Sequence, residues 1–347
     1  MHTWRVAPIL VLALGAVAAA PGAAQERYAI SGREVAIYNL AGQAEIVRGS
    51  GSEVRVTLTR HGDDAEQLEV ETGRIDGRET LRVIYPGDNI VYGSRRNGST
   101  DLRVRDDGTF FDQGRGGRRV RVRSSGRGLE AWADLRIEVP ADHDLSIYVA
   151  AGEVTAQGMQ GALHVDVGAA TVGVEEHNGP VSIDTGSGDV WVRGVEGDVV
   201  VDTGSGGVEM ERVSGSRVDI DTGSGGIRGS TVSAESARFD TGSGSVSMEE
   251  LRSPVVVVDT GSGEVFLDVT VDVERLEVDT GSGAVTLALP EQAGAELELE
   301  TGSGGIDVDL PIRISQSQRD YLRGILGDGR GHIEVDTGSG GIRIRSR

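Results

Sequence analysis

The chain has 347 residues, a formal net charge of -21, 53 glycines, no cysteine and only 4% aromatic residues. That acidity argues against duplex nucleic acid as a partner, because affinity there comes mainly from cationic neutralisation of phosphates. Many glycines and few large side chains disfavour a conventional globular core and favour short, repetitive strands with tight turns, packed largely by valine. Without cysteine, neither a disulfide nor a lipid-modified cysteine anchor is available, so stability must come from packing and backbone hydrogen bonds.

The N-terminus has the form of a secretory signal peptide over residues 1–24. His2 and Arg5 precede an apolar run from Val6 to Ala20, and Gly22-Ala23-Ala24 supplies small residues for cleavage before Gln25. The run is short against the roughly 20 apolar residues that span a bilayer, which favours cleavage over anchoring. The expectation is an exported chain, periplasmic or extracellular, with no transmembrane segment after cleavage.

Residues 25–145 read as a strand-rich N-terminal region, with irregularly spaced strands at Glu34 to Tyr38, Glu53 to Thr59, Glu66 to Glu71 and Thr80 to Tyr85. They resemble imperfect coils or a cap, which a stacked repeat needs over its open end. Within 93–127 valine alternates with arginine around a glycine-rich stretch, placing Arg103, Arg105, Arg119, Arg121 and Arg123 on one hairpin. Those arginines are a candidate polyanion contact. The preferred alternative is an edge hairpin whose arginines face the protein's own acids and discourage edge-to-edge aggregation.

From residue 146 a repeat dominates. Thr-Gly-Ser-Gly begins at Thr185, Thr203, Thr222, Thr241, Thr260, Thr280, Thr301 and Thr337, with spacings of 18, 19, 19, 19, 20, 21 and 36. Weaker copies around Asp166 and Tyr148 extend the phase upstream. Before each Asp, apolar residues recur at one and three positions back, as in Val181 and Ile183 or Val256 and Val258; after the turn they recur at two alternate positions, as in Val190 and Val192. This period-2 pattern on both sides of a turn predicts two short strands per coil of about 19 residues, and roughly ten coils stacked at ~4.8 Å. The predicted fold is therefore all-β, a single-chain parallel β-solenoid, right-handed by the usual crossover preference. In the turn, glycine should supply positive φ, Asp should accept nearby N–H groups, and Thr should point inward with its hydroxyls bonded along the stack. The insertion 311–332 contains Gln318 to Leu326, which reads as a short helix capping the C-terminal end ahead of the last coil.

The chemistry suggested by these motifs is thin. Val-Asp-Thr-Gly-Ser matches the aspartic-protease signature, but such enzymes need two carboxylates that share a proton, whereas a periodic turn makes a column. Asp184, Asp202, Asp221, Asp240, Asp259, Asp279 and Asp336 form that column, and stacked carboxylates could hold a row of Ca²⁺; one carboxylate per turn is few for an ion that takes six to eight oxygens. No His-x-x-x-His pair and no phosphate-binding loop followed by Lys occurs. Trp191 and Phe266 fall outward but isolated, which disfavours a polysaccharide lyase groove and fits scattered surface residues.

The approach Leu135-Arg136-Ile137-Glu138-Val139-Pro140, then Ala151-Gly152-Glu153-Val154 and the run of Thr-Gly-Ser-Gly-x-[Val/Ile] coils, resembles the bacterial putative-adhesin domain of unknown function known as the toastrack domain. The likeness covers nearly the whole chain after the signal. It implies a cell-envelope or extracellular scaffold or adhesin-like binding protein, not an enzyme, with no catalytic or cofactor residues to carry over. An envelope or matrix protein, or a glycan, is the expected partner. The alternatives are a glycan-binding or glycan-active solenoid and a partner protein in envelope-stress signalling.

Overall fold

The computed structural model describes residues 25–93, 99–111 and 116–347; the signal-peptide reading of residues 1–24 lies outside them, as do parts of the arginine hairpin. Among the described residues, strand is the only regular secondary structure apart from one 3-10 turn at Ala65–Gln67. One 26-stranded sheet winds through the molecule, and a separate sheet of four strands lies beside it. Each coil contributes to two parallel arms of the large sheet. The first arm runs through Val181–Ser187, Val199–Thr203, Arg217–Thr222, Ser236–Thr241, Val255–Thr260 and Arg275–Thr280. The second runs through Val190–Glu196, Val208–Ser214, Ile227–Ser233, Val246–Arg252, Val265–Val269 and Val285–Leu289. Earlier coils cross both arms as single long strands, Asp144–Gln157 and Leu163–Asn178, in register with the coils that follow.

The alternating sequence dictates the interior. Val190, Val192, Val208, Met210, Val218 and Ile220 are each at most 2% exposed, and the inner faces of the two arms close on each other as one core. Because the side-chain period is two, the same register turns Asp outward and Thr inward: Thr203, Thr222, Thr241 and Thr337 are fully buried.

The glycines of the turn have a different reason from the one expected. Only Gly188 (φ +140°) and Gly206 (φ +159°) among the repeat's turn glycines approach the left-handed region. What excludes a side chain is the neighbouring coil: a Cβ on Gly225 would lie 1.8 Å from the Gly206 carbonyl oxygen, and one on Gly244, Gly263 or Gly283 would lie 1.9 Å from its counterpart. The turn's N–H groups are used by the same stacking, since Gly204, Gly223, Gly242 and Gly261 donate to the Thr carbonyl of the preceding coil at 2.9–3.1 Å. From Thr222 onward the Thr hydroxyls bond backbone, not one another: Thr222, Thr241 and Thr260 donate to the carbonyls of Gly206, Gly225 and Gly244 at 3.1, 2.9 and 3.0 Å, while the buried hydroxyls of Thr185 and Thr203 have no hydrogen-bond partner.

Both ends of the stack depart from chain order. At the C-terminal end, Gly331–Thr337 pairs with Arg275–Thr280 on one side and Ala295–Thr301 on the other, and Ile342–Ser346 sits likewise between Val285–Leu289 and Ile306–Asp309. The last coil in sequence is thus the penultimate one in space. The insertion is a β-hairpin, not a helix: Tyr321–Leu326 pairs antiparallel with Ala295–Thr301 and with Ile312–Ser317. Leu322, Gly324 and Leu326 are buried on alternate positions, a strand's period, and the exposed edge of Ala295–Thr301 supplies the backbone partners that an isolated short helix would lack. At the other end, Glu34–Arg48 stacks on Asp144–Gln157, and the chain between them folds outside it, where Arg78–Ile84 and Trp132–Val139 pair parallel with its two halves. Glu69–Ile75, Glu53–His61 and Gln25–Ser31 close that end antiparallel. Asn39 takes the inward Thr position there; its amide donates to the Ala133 carbonyl and its oxygen accepts from Tyr85, both at 2.7 Å.

Candidate functional site

The turn places the seven predicted aspartates in one ladder. Asp184, Asp202, Asp221, Asp240, Asp259, Asp279 and Asp336 are consecutive partners, with Asp166 continuing the line at one end and Glu300 at the other. Further along, the position is occupied by Tyr148 and Tyr38, whose rings stack 4.4 Å apart under Phe110. There the corner is covered by the loop that follows Ser99–Val104, so an aromatic ring replaces a charge.

Burial, and then the adjacent carboxylate, push the acids of Asp184, Asp221 and Asp259 above the ordinary aspartate range, and Asp336 is raised in the same way. The turn's N–H groups, committed to the stacking bonds above, do not offset this. Arg238 gives partial relief, donating to Asp240 at 2.5 Å. Among the described residues no three His, Cys, Asp or Glu side chains converge as a metal site; a carboxylate enters this column once per coil.

The arginine hairpin forms the small sheet. Ser99–Val104 and Arg118–Arg123 pair antiparallel, flanked by Asn89–Val91 and Leu129–Glu130. Cross-strand register brings Arg103 opposite Arg119, Asp101 opposite Arg121 and Ser99 opposite Arg123, all on one face. Arg121 grips Asp101 with two bonds of 2.6 and 2.8 Å and Arg119 adds a third contact at 3.2 Å, which holds the Asp101 acid down to about 2. Arg103 donates to the Gly117 carbonyl and Arg123 to Asn89. Arg105 leaves the group, bonding Thr109 Oγ1 at 2.6 Å.

A third surface feature carries no motif in the sequence. On the outer face of the second arm, Trp191 borders a trough lined also by Asp189, Gly207, Glu209, Gly226 and Arg228. In sequence the tryptophan is isolated. Asp189 is its near neighbour in the chain, but Gly207, Glu209, Gly226 and Arg228 come from the next two coils, and only coil stacking brings them beside it.

Among solved structures, a putative cell adhesion protein from Clostridium sporogenes aligns over 93% of this chain and 99% of its own, at 9% identity and a TM-score of 0.21. No curated protein matches the chain in sequence. Residues 135–345, more than half of the sequence and every Thr-Gly-Ser-Gly coil, match the Toastrack DUF4097 family model, and the chain belongs to that family.

Proposed function

We propose that the chain is an exported, non-enzymatic protein of the cell envelope or extracellular matrix, an adhesin-like scaffold that offers the long outer faces of its coils to a partner. The observation that carries the reading is the in-register coil stack, closed at both ends by antiparallel strands. Such closure blocks further stacking through those strands and leaves the lateral faces as the extended surfaces. Those faces are rigid because every coil shares backbone hydrogen bonds with its neighbours, and a rigid surface binds without a large ordering cost. Membership of the toastrack family and the signal-like N-terminus support the same role.

Localisation combined with crosslinking in the native host tests it. The expected result is a chain recovered from the envelope or the medium with a reproducible crosslinked partner. Retention in the cytoplasm, or an absence of specific adducts across envelope and matrix fractions, overturns the reading.

A further inference from the structure

The trough beside Trp191 has features that the fold does not require. Trp191 pairs with Gly173 in the preceding coil and Glu209 in the next. A Cβ on Gly173 would fall 2.2 Å from both Cε2 and Cζ2 of the indole and 2.4 Å from Nε1. These three adjoining atoms form one edge of the indole, so that edge overlies Gly173 in the space where any other residue would carry its Cβ. Beside it the surface drops, because Gly207 and Gly226 carry no side chain.

These two glycines contrast with those of the turns. A Cβ on Gly207 would meet nothing closer than 3.6 Å, and one on Gly226 nothing closer than 3.5 Å; neither has a left-handed φ. The next coils carry Ser245, Glu264 and Ala284 at the same position, as their shared pattern of carbonyl acceptance shows. Glycine here is optional for the backbone, and its effect is an open slot next to a flat aromatic ring.

The rim of the slot is charged. Asp189 is fixed by the Gly207 N–H on Oδ1 at 3.0 Å, and Glu209 by Arg193 at 3.2 Å. Arg228 stands opposite Glu209 in the ladder but is exposed and has no hydrogen-bond or ion-pair partner among the described residues. An apolar protein side chain would find one ring and no further apolar wall. A pyranose chair with equatorial substituents suits the slot better: its C–H face stacks on the indole, while edge hydroxyls donate to Asp189 and Glu209 and accept from Arg228.

We propose that this trough is a binding subsite for a β-linked pyranose chain, an inference that rests on the reading of the protein as a binding scaffold and supplies its ligand class. The competing role is structural, the indole shielding the Gly173 backbone. Calorimetric titration of the full secreted chain with chitohexaose and cellohexaose separates the two. Binding of at least one is expected, weakened about tenfold or more by Trp191→Ala. The paired change Gly207→Leu with Gly226→Leu fills the slot without touching the indole's packing, so it should abolish binding while leaving the melting temperature near that of the parent. Binding that survives filling of the slot overturns the proposal, as does the failure of both hexasaccharides to bind. If neither sugar binds while envelope crosslinking still recovers a partner, the subsite falls and the scaffold reading stands. A cytoplasmic chain overturns the scaffold reading whatever the sugars do.

Discussion

His177 occupies an inward position that Val195 fills in the next coil and Val213 in the one after. It is 2% exposed, and neither ring nitrogen has a hydrogen-bond partner. Burial lowers its pKa below the ordinary value, offset in part by the nearby backbone of Gly161 and Pro180. The folded state therefore keeps the ring neutral. Above the unfolded value of roughly 6.5 both states are neutral and no stability is lost. As pH falls below that point the unfolded chain takes up a proton that the folded chain resists, so stability declines by up to roughly 1.4 kcal/mol per pH unit until the lowered folded pKa is reached. His177→Val should raise the melting temperature more at pH 5 than at pH 8. Parallel thermal melts at the two values check this, and an equal gain at both would show that protonation is not involved.

At the scale of the turn, close approach and charge pull in opposite directions. Gly225→Ala forces a methyl group against the Gly206 carbonyl at 1.8 Å and should destabilise by about 2 kcal/mol or more. Gly226→Ala, one residue on, meets only ordinary contacts and should change stability by less than about 1 kcal/mol. Urea titrations of the pair test whether crowding, not turn conformation, fixes these glycines. The aspartate beside the turn is tolerated at some cost. Because the acid of Asp221 is raised in the folded state, its charged form opposes folding at neutral pH, and the penalty is relieved as pH falls through the raised pKa towards 3.8. Asp221→Asn should therefore raise the melting temperature modestly at pH 7 and low salt. The gain should shrink in 1 M salt, where the screening length is about 3 Å, and near pH 4. Thermal melts across salt and pH decide it.

For the whole molecule, the placement of the last coil matters more than its position in the chain. In a linear array, removing the C-terminal coil trims one end. Here residues 331–347 lie between two other coils and supply both with backbone partners. A chain ending at Gly329 should lose cooperative folding and aggregate, since two strand edges and the core beneath them open together. Circular dichroism and gel filtration of the truncated chain read this directly. A soluble, cooperatively melting product would mean that the outer coil can close onto Arg275–Thr280 unaided.

The repeat, the two arms, the inward valines and the Asp and Thr ladders are all legible within the chain, because a period of two fixes which face each residue takes once its strand is placed. Strands in the N-terminal region were legible for the same reason, although Glu34–Arg48 proved to be a full coil and not a short strand. The helix expected near Gln318 failed because its apolar residues fit a strand edge that becomes visible only when Ala295–Thr301 is in place. Coil order was equally hidden: every coil presents nearly the same register to its neighbours, so the sequence of any one coil does not say which other coil it pairs with. What no single coil could show is that the last coil sits inside the stack, that Tyr38 stacks on Tyr148 under Phe110, and that Trp191 borders a slot. Each of these depends on residues that are distant in the chain and adjacent only after stacking, whereas the features legible in advance depend on neighbours within a single coil.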